Sequence, residues 1–293
     1  MNHFSAPVSL KDQTLGLLVL MRPKQWVKNG FVFAPLLFTG ELLNANAALQ
    51  TLMAAIFFCI ASSATYIVND LHDVDLDRQH HKKSKSRPLA SGIVTPPAAI
   101  VLLVVLYLFL LLGFYFMPKV LLIIAAYLVI NIAYTFFLKH QPVIDIFTIA
   151  IGFVLRVIAG SMALGVDASA WMCITTLCLA LYLAAIKRRQ ELAKNGADGR
   201  TVLKSYTVKL VDRYAEISAT GALLFYSMFV MSTRPGLVIT IPLVLYGLFR
   251  YWYVVESLDG GESPTDALFA DWQMLAVIIL WATTCAFVLT RGI

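Results

Sequence analysis

Charged residues are scarce in this chain. They make up 14% of its 293 residues, whereas 59% of the residues are hydrophobic. A soluble domain typically carries about 25% charged residues, so the composition excludes an ordinary soluble enzyme. The four cysteines lie in apolar runs and form no CxxC pair, which excludes a disulfide framework and a zinc site of the usual spacing. The chain also lacks internal repeats, low-complexity segments and the pattern of a cleaved signal peptide.

Long apolar runs take the place of the missing charge. A run of about twenty apolar residues can cross a bilayer as one helix. The sequence therefore predicts an all-α integral membrane protein, a bundle of nine transmembrane helices. We expect one transmembrane domain over residues 1–293 with a loose N-terminal tail over residues 1–13. The predicted helices are Thr14–Gly40, Ala47–Val68, Ala98–Met117, Val120–Leu138, Val143–Leu164, Ala168–Ile186, Tyr214–Ser232, Leu237–Val255 and Ala267–Leu289.

Basic residues are distributed unequally between the two ends of these helices. Alternate loops are rich in lysine and arginine, whereas the opposite ends carry only Lys119, Arg234 and Arg291. Cytoplasmic loops of membrane proteins carry an excess of positive charge, so we expect the N-terminus inside and the C-terminus outside. The polar clusters described next are then expected at the cytoplasmic face of a cell membrane.

The most polar stretch is NDLHDVDLDRQHHKKSKSR, residues 69–87. Asp70, Asp73 and Asp77 are spaced i, i+3, i+7, which on a helix places three carboxylates on one face. Such carboxylates need a counter-ion, and oxygen ligands suit Mg²⁺. Asp75 falls on another face and is interpreted as a bystander. A solvated charged loop is the alternative. The basic residues that follow are potential phosphate ligands, namely Arg78, Lys82, Lys83, Lys85 and Arg87.

A second polar cluster, KRRQEL, continues the sixth predicted helix. Lys187 and Arg188 extend this helix directly, whereas Arg189 could equally attract anionic lipid. Glu191 lies one turn from Lys187 and could complete a metal site or orient Lys187. Tyr206 follows downstream.

A third group of polar residues surrounds Trp26 in the first predicted helix, and two further charged residues lie in the fifth. Arg22 and Lys24 could simply snorkel to the interface, whereas Lys28 is expected to point inward. Arg156 lies well inside a span, where a guanidinium by default faces a cavity or a partner. Asp145 could pair with Asp77 or a metal, or it could cap its helix.

At NDLHDVDLDR the chain resembles the UbiA superfamily of intramembrane prenyltransferases, whose first motif is NDxxDxxxD. Asn69, Asp70, Asp73 and Asp77 match this motif position for position, and nine helices are typical of the fold. Aromatic prenyltransferases of the superfamily usually carry a second motif, DxxxD, after the sixth helix. This chain has KRRQEL and VLKSYT there. Together with RPKQWVKN and RPLASG, these segments are similar to the decaprenyl-phosphate phosphoribosyltransferase branch.

The resemblance implies an activity and a set of ligands. It implies Mg²⁺-dependent transfer of phosphoribose from 5-phosphoribosyl 1-diphosphate to a polyprenyl phosphate in a bacterial cell membrane, with no nucleic-acid partner. Asp70, Asp73 and Asp77 would be catalytic and hold Mg²⁺ with Asn69. The expected substrate-binding residues are Lys28, Asn69, Lys83, Arg87, Arg156, Lys187, Arg188 and Tyr206. The alternatives are an aromatic or quinone-pathway prenyltransferase and a transporter, whose polar groups would line a substrate path.

Overall fold

The computed structural model describes residues 9–79, 81, 83–196, 201–257 and 271–291. Every regular element in these ranges is a helix, because a chain in lipid must satisfy its backbone hydrogen bonds internally. Short 3₁₀ helices connect several of the α-helices. The α-helices are α1 (Leu10–Leu20), α2 (Ala34–Thr39), α3 (Ala45–His72), α4 (Val74–Gln79), α5 (Lys83–Ser86), α6 (Pro96–Phe116), α7 (Pro118–Phe136), α8 (Ile144–Leu164), α9 (Ala170–Asn195), α10 (Val208–Thr233), α11 (Ile241–Ser257) and α12 (Trp272–Arg291).

Within these described ranges, eight helical segments are long and apolar enough to cross a membrane. They correspond to the second through ninth predicted helices, so the predicted all-α membrane bundle is confirmed. The sixth helix continues to Asn195, past the predicted end at Ile186, because the KRRQEL segment is itself helical. The first four residues of the ninth predicted helix, 267–270, lie outside the described residues.

The first predicted helix, Thr14–Gly40, is not continuous. It consists of α1, a 3₁₀ helix over Pro23–Phe33, and α2. The break lies at Arg22, whose φ of 54° is left-handed and which precedes a proline, a position that disfavours helix. Helix α1 begins at Leu10, inside the range predicted as a loose tail, because the Ser9 side chain accepts a hydrogen bond from the Lys11 amide. Residues 1–8 lie outside the described residues.

Helix α8 occupies a central position in the bundle. It packs against α2, α3, α7, α9 and the 3₁₀ helix over Pro23–Phe33. Small residues permit this close approach, as is usual between membrane helices. Gly160 is the tightest point, since a Cβ there would lie 2.0 Å from the carbonyl oxygen of Val32. The broken first segment is thereby held against α8, and polar residues of both reach one another.

Candidate functional site

The aspartate motif does not lie on one helix face. Helix α3 ends at His72, and Asp73 is its C-terminal cap with φ −93° and ψ 7°. This bend at Asp73 separates Asp70, on the last turn of α3, from Asp77 on α4. The prediction that all three carboxylates share a helical face is therefore wrong, because the helix ends in the middle of the motif.

Asp70 and Asp77 nevertheless converge. Both are almost fully buried, with exposures of 2% and 3%. A single nitrogen, Arg87 Nη1, lies 2.9 Å from Asp70 Oδ1 and in close contact with Asp77 Oδ2. Arg22 Nη2 donates a second hydrogen bond to Asp70 Oδ1 at 2.5 Å. Two buried carboxylates therefore meet at one point, and arginine supplies the positive charge there.

Asp73 lies apart from this pair. Its carboxylate accepts a hydrogen bond of 2.9 Å from Lys139 Nζ, in the connection between α7 and α8. Asp75, interpreted as a bystander, is 83% exposed at its side chain and pairs with Arg78 at 3.2 Å. The motif thus contains one buried pair, one half-buried carboxylate and one surface carboxylate.

Arg188 is the centre of a second buried cluster. Its side chain is only 1% exposed, and each of its three nitrogens has a protein partner. Nε donates to Asp145 at 2.7 Å, Nη1 to Glu191 at 2.7 Å, and Nη2 to the Tyr134 hydroxyl at 3.2 Å. Asp145 therefore pairs with Arg188. Among the described residues neither its predicted pairing with Asp77 nor a helix cap is seen, and its predicted contact with a metal stays a prediction.

Tyr206 extends this second cluster to the start of α8. Its hydroxyl donates to Asp145 Oδ1 at 2.6 Å and accepts a hydrogen bond from the Val143 amide at 2.6 Å. Val143 has a φ of 69°, which is costly for a β-branched residue, so Tyr206 holds a strained loop. Burial, and then the hydrogen bond to Asp145, raise the pKa of Tyr206 above its ordinary value. The hydroxyl therefore stays protonated and keeps both bonds at neutral pH.

Arg156 forms a third buried polar group, in the middle of α8. Its guanidinium donates to Asn29 Oδ1 at 2.8 Å, to the Gly152 carbonyl at 2.6 Å and to the Tyr127 hydroxyl at 3.3 Å. Aromatic rings, including that of Phe58, lie within cation–π distance. Among the described residues no carboxylate pairs with Arg156, so neutral acceptors and aromatic rings surround its guanidinium.

The remaining candidate residues lie at intermediate exposure. Lys28, Asn69 and Lys187 are half-buried. The Lys83 backbone lies in α5, but its side chain falls outside the described residues. Two further residues, Arg22 and Lys139, contact the aspartates directly. The sequence suggested only snorkelling for Arg22 and no role for Lys139. The proline that follows Arg22 indicates a helix break there, and this signal could have placed Arg22 at the inner end of α1.

The aspartate motif offers a metal ion two convergent carboxylates. Across the described part of the chain, no three histidine, cysteine, aspartate or glutamate side chains converge. Asp70 and Asp77 do converge, since they share one cationic nitrogen. Mg²⁺ usually binds one or two carboxylates and completes its shell with water and substrate phosphate oxygens. The buried pair fits that requirement.

Comparison with known proteins places this geometry in a family context. The sequence profile of the UbiA prenyltransferase family matches residues 31–278. The decaprenyl-phosphate phosphoribosyltransferase of Corynebacterium glutamicum is 32% identical over 94% of this chain and 86% of its own length. That of Mycobacterium tuberculosis is 32% identical over 94% of this chain and 95% of its own. In fold, the chain is similar to a UbiA homologue from Archaeoglobus fulgidus bound to GPP and Mg²⁺, with a TM-score of 0.71 at 18% identity, covering 94% of this chain and 99% of the homologue.

Proposed function

The chain belongs to the UbiA prenyltransferase family, and from that premise we propose that it transfers 5-phosphoribose from 5-phosphoribosyl 1-diphosphate to a polyprenyl phosphate. Diphosphate is the second product. The observation that carries the proposal is the 32% identity over 94% of the chain to decaprenyl-phosphate phosphoribosyltransferases. These relatives favour phosphoribosyl transfer over aromatic prenyl transfer and over transport.

The enzyme is a multi-pass membrane protein of the bacterial type, with helices long and apolar enough to cross a bilayer. We assign the N-terminus and the aspartate motif to the cytoplasmic side, where basic loops are retained. The chain acts as one transmembrane domain. Its polyprenyl substrate has its tail in the bilayer and its phosphate at the level of the motif.

We assign the magnesium site to Asp70 and Asp77, with Asp73 and Asn69 beside them. The support is the convergence of the two buried carboxylates on one cationic atom. Bound Mg²⁺ would supply charge neutralisation of the diphosphate leaving group. The UbiA homologue bound to GPP and Mg²⁺ has the same fold.

The chain's own cations bind and orient the phosphate-bearing groups. Arg87 and Arg22 lie at the buried carboxylates, where the donor diphosphate is expected. Lys28, Lys83, Lys187 and Arg156 provide further positive charge for the ribose 5-phosphate and the lipid phosphate. Arg188 and Tyr206 are fully engaged with protein partners, so we assign them to positioning the α7–α8 connection.

The reaction replaces one C1–O bond of the ribose with another. An oxygen of the lipid phosphate forms the new bond to C1, and diphosphate leaves with the electron pair of the broken bond. Positive charge develops at C1 as in glycosyl transfer generally. The attacking phosphate is already anionic near neutral pH, so positioning and electrostatics suffice without a general base. Attack from the face opposite the diphosphate inverts the configuration at C1.

The direct test supplies purified protein with labelled 5-phosphoribosyl 1-diphosphate, a polyprenyl phosphate and Mg²⁺. We expect labelled lipid that depends on all three components. A parallel incubation supplies a prenyl diphosphate and an aromatic acceptor. If only the incubation with prenyl diphosphate and aromatic acceptor gives a prenylated product, the activity is aromatic prenyl transfer and the proposal is replaced. If the incubation with 5-phosphoribosyl 1-diphosphate gives no labelled lipid, the proposal is overturned.

The second test separates the motif from its surroundings with a matched pair of variants. Asp73→Asn removes a carboxylate that is bonded to Lys139, whereas Asp75→Asn removes an exposed carboxylate that pairs with Arg78. We expect Asp73→Asn to lower turnover by at least about 10²-fold, the loss typical of a misplaced group in electrostatic catalysis. Asp75→Asn should keep normal turnover. Normal activity of Asp73→Asn would remove Asp73 from the magnesium site.

A further inference from the structure

The connection between α7 and α8 contacts both polar clusters of the candidate site. At one end, Lys139 Nζ donates a hydrogen bond of 2.9 Å to the Asp73 carboxylate of the aspartate motif. At the other end, the Val143 amide donates a hydrogen bond of 2.6 Å to the Tyr206 hydroxyl. Only residues 140–142 separate Lys139 from Val143. The connection therefore joins Tyr206 to the motif that is assigned to magnesium.

Val143 adopts a rare and strained backbone conformation. Its φ of 69° and ψ of −47° are close to those of the positive-φ γ-turn, a three-residue turn in which the third amide bonds to the first carbonyl. That hydrogen bond is present, since the Ile144 amide donates to the Pro142 carbonyl at 2.8 Å. A β-branched side chain disfavours a positive φ, so the turn persists only because surrounding contacts hold it.

We propose that Tyr206 is a positioning residue that acts on the aspartate motif through this strained turn and through Lys139, without touching substrate. The inference rests on the proposed function, because Asp73 belongs to the magnesium site assigned there. Tyr206 holds the turn at Val143, the turn sets the position of Lys139, and Lys139 orients the Asp73 carboxylate.

Tyr206 is itself fixed in place. Its ring is buried, and its hydroxyl also donates to Asp145 Oδ1 at 2.6 Å. Asp145 is fully buried and bonded to Arg188, so the hydroxyl cannot follow a movement of the turn. Loss of this hydroxyl would leave the Val143 amide without its partner and would remove a contact that offsets the strain.

The chain between the turn and Lys139 is stiff. Residues Leu138–His140 form a 3₁₀ helix, and the Gln141 amide closes this helix with a hydrogen bond of 3.1 Å to the carbonyl of its first residue. Pro142 follows, and its ring fixes φ at about −65°. A change of the Val143 backbone therefore displaces Lys139, because the residues between them cannot absorb it.

Tyr206→Phe tests the inference without changing any charge. Turnover and the KM for 5-phosphoribosyl 1-diphosphate are measured at saturating Mg²⁺ on the full-length protein in detergent, below the melting temperature of every variant. The affinity for Mn²⁺ in the presence of inorganic diphosphate is measured from the electron paramagnetic resonance signal of Mn²⁺. Residues that orient a metal ligand typically contribute roughly 10- to 100-fold to metal affinity or activity.

We expect Tyr206→Phe to lower turnover and the affinity for Mn²⁺ by about tenfold each. The KM should stay within about twofold of the wild-type value, because Tyr206 does not touch substrate. Tyr214→Phe is the matched control, since the Tyr214 ring packs edge-on against that of Tyr206 at 6.5 Å, and it should behave as the wild type.

Two double variants test the route from Tyr206 to Asp73. Glycine adopts a positive φ without strain, so Val143→Gly allows the turn to persist without the Tyr206 hydroxyl. Val143 is 38% exposed, so this substitution leaves no buried cavity. In the Val143→Gly protein, Tyr206→Phe should therefore lower turnover by no more than about twofold. In the Lys139→Met protein, where the contact with Asp73 is already lost, Tyr206→Phe should likewise have no further effect.

Two results would assign Tyr206 to direct contact with substrate and overturn the proposal. One is a loss of turnover that Tyr206→Phe causes equally in the wild-type, Val143→Gly and Lys139→Met proteins. The other is a raised KM with normal turnover. Wild-type turnover and Mn²⁺ affinity in Tyr206→Phe would also overturn the proposal, but would leave the magnesium site in place. If the wild type itself forms no labelled lipid, the proposed function fails and the positioning role fails with it.

Discussion

Replacing Arg188 with methionine tests whether the KRRQEL segment holds the fold together or contacts substrate. The change removes a guanidinium that is 1% exposed and leaves Asp145, which is fully buried, without its cation. Two of the lost bonds are charge-assisted and measure 2.7 Å each, and such bonds contribute about 1.5–3 kcal/mol each. Removing one partner of a buried ion pair costs about 3–5 kcal/mol in other proteins, in agreement with that sum.

The assay is reversible unfolding of the purified protein in mixed detergent micelles, with the free energy of unfolding obtained from the denaturant titration. We expect Arg188→Met to lose about 3–5 kcal/mol. Arg189→Met is the matched control on the neighbouring residue. Its ion pairs with Asp212 and Glu256 are partly exposed, so its loss should stay within about 1 kcal/mol.

A double variant distinguishes the ion pair from simple loss of packing. Combining Arg188→Met with Asp145→Leu removes both charges, and the free energy of unfolding should recover a large part of the loss. The opposite result would be an Arg188→Met protein that unfolds like the wild type yet binds the phosphoribosyl donor at least about tenfold more weakly. That outcome would refute the structural role and assign Arg188 to substrate.

Two further predictions follow from local geometry. Gly160→Ala should destabilise the protein by about 1–3 kcal/mol, because the added Cβ would meet the Val32 carbonyl oxygen at 2.0 Å. Gly30→Ala is the control and should not show this steric loss, because no atom lies within 4 Å of its added Cβ. Thermal unfolding of both variants checks this, and equal stability would contradict the close approach. Tyr206 has a raised pKa in the folded state, so its contribution to stability should be full below about pH 10, the ordinary pKa of tyrosine, and decline above it. The wild type should therefore melt at a higher temperature than Tyr206→Phe, by a difference that is constant from pH 7 to about pH 10 and becomes smaller at higher pH. A difference that does not become smaller would contradict the raised pKa of Tyr206.

The arrangement of the site assigns different tasks to residues that look alike in the sequence. Arg87 and Arg188 are both arginines beside carboxylates in basic stretches. Arg87 is partly exposed and bridges two carboxylates of the family motif, whereas Arg188 is fully enclosed and joins α9 to the start of α8. Burial and the number of occupied nitrogens distinguish a cation that can turn toward substrate from one that holds helices in register.

The sequence by itself determined the class of the protein. Apolar run length and the scarcity of charge are local properties, and lipid forces such runs into helices, so the membrane bundle could be predicted without any contact. The aspartate motif and the segments around it resembled one family, which the comparison over residues 31–278 confirms. The break at Arg22 was within reach of the same reasoning, since proline restricts the residue before it.

Only the tertiary structure decided which charges meet. Arg22 and Asp70 are 48 residues apart in the chain, and Lys139 and Asp73 are 66 residues apart. No local pattern encodes such pairs, because they depend on how α8 brings the broken first segment and the α7–α8 connection toward α3. The end of α3 within the motif likewise divided three equivalent aspartates into a buried pair and a separate residue. Helix packing thus determined the geometry of a site whose composition the sequence had already indicated.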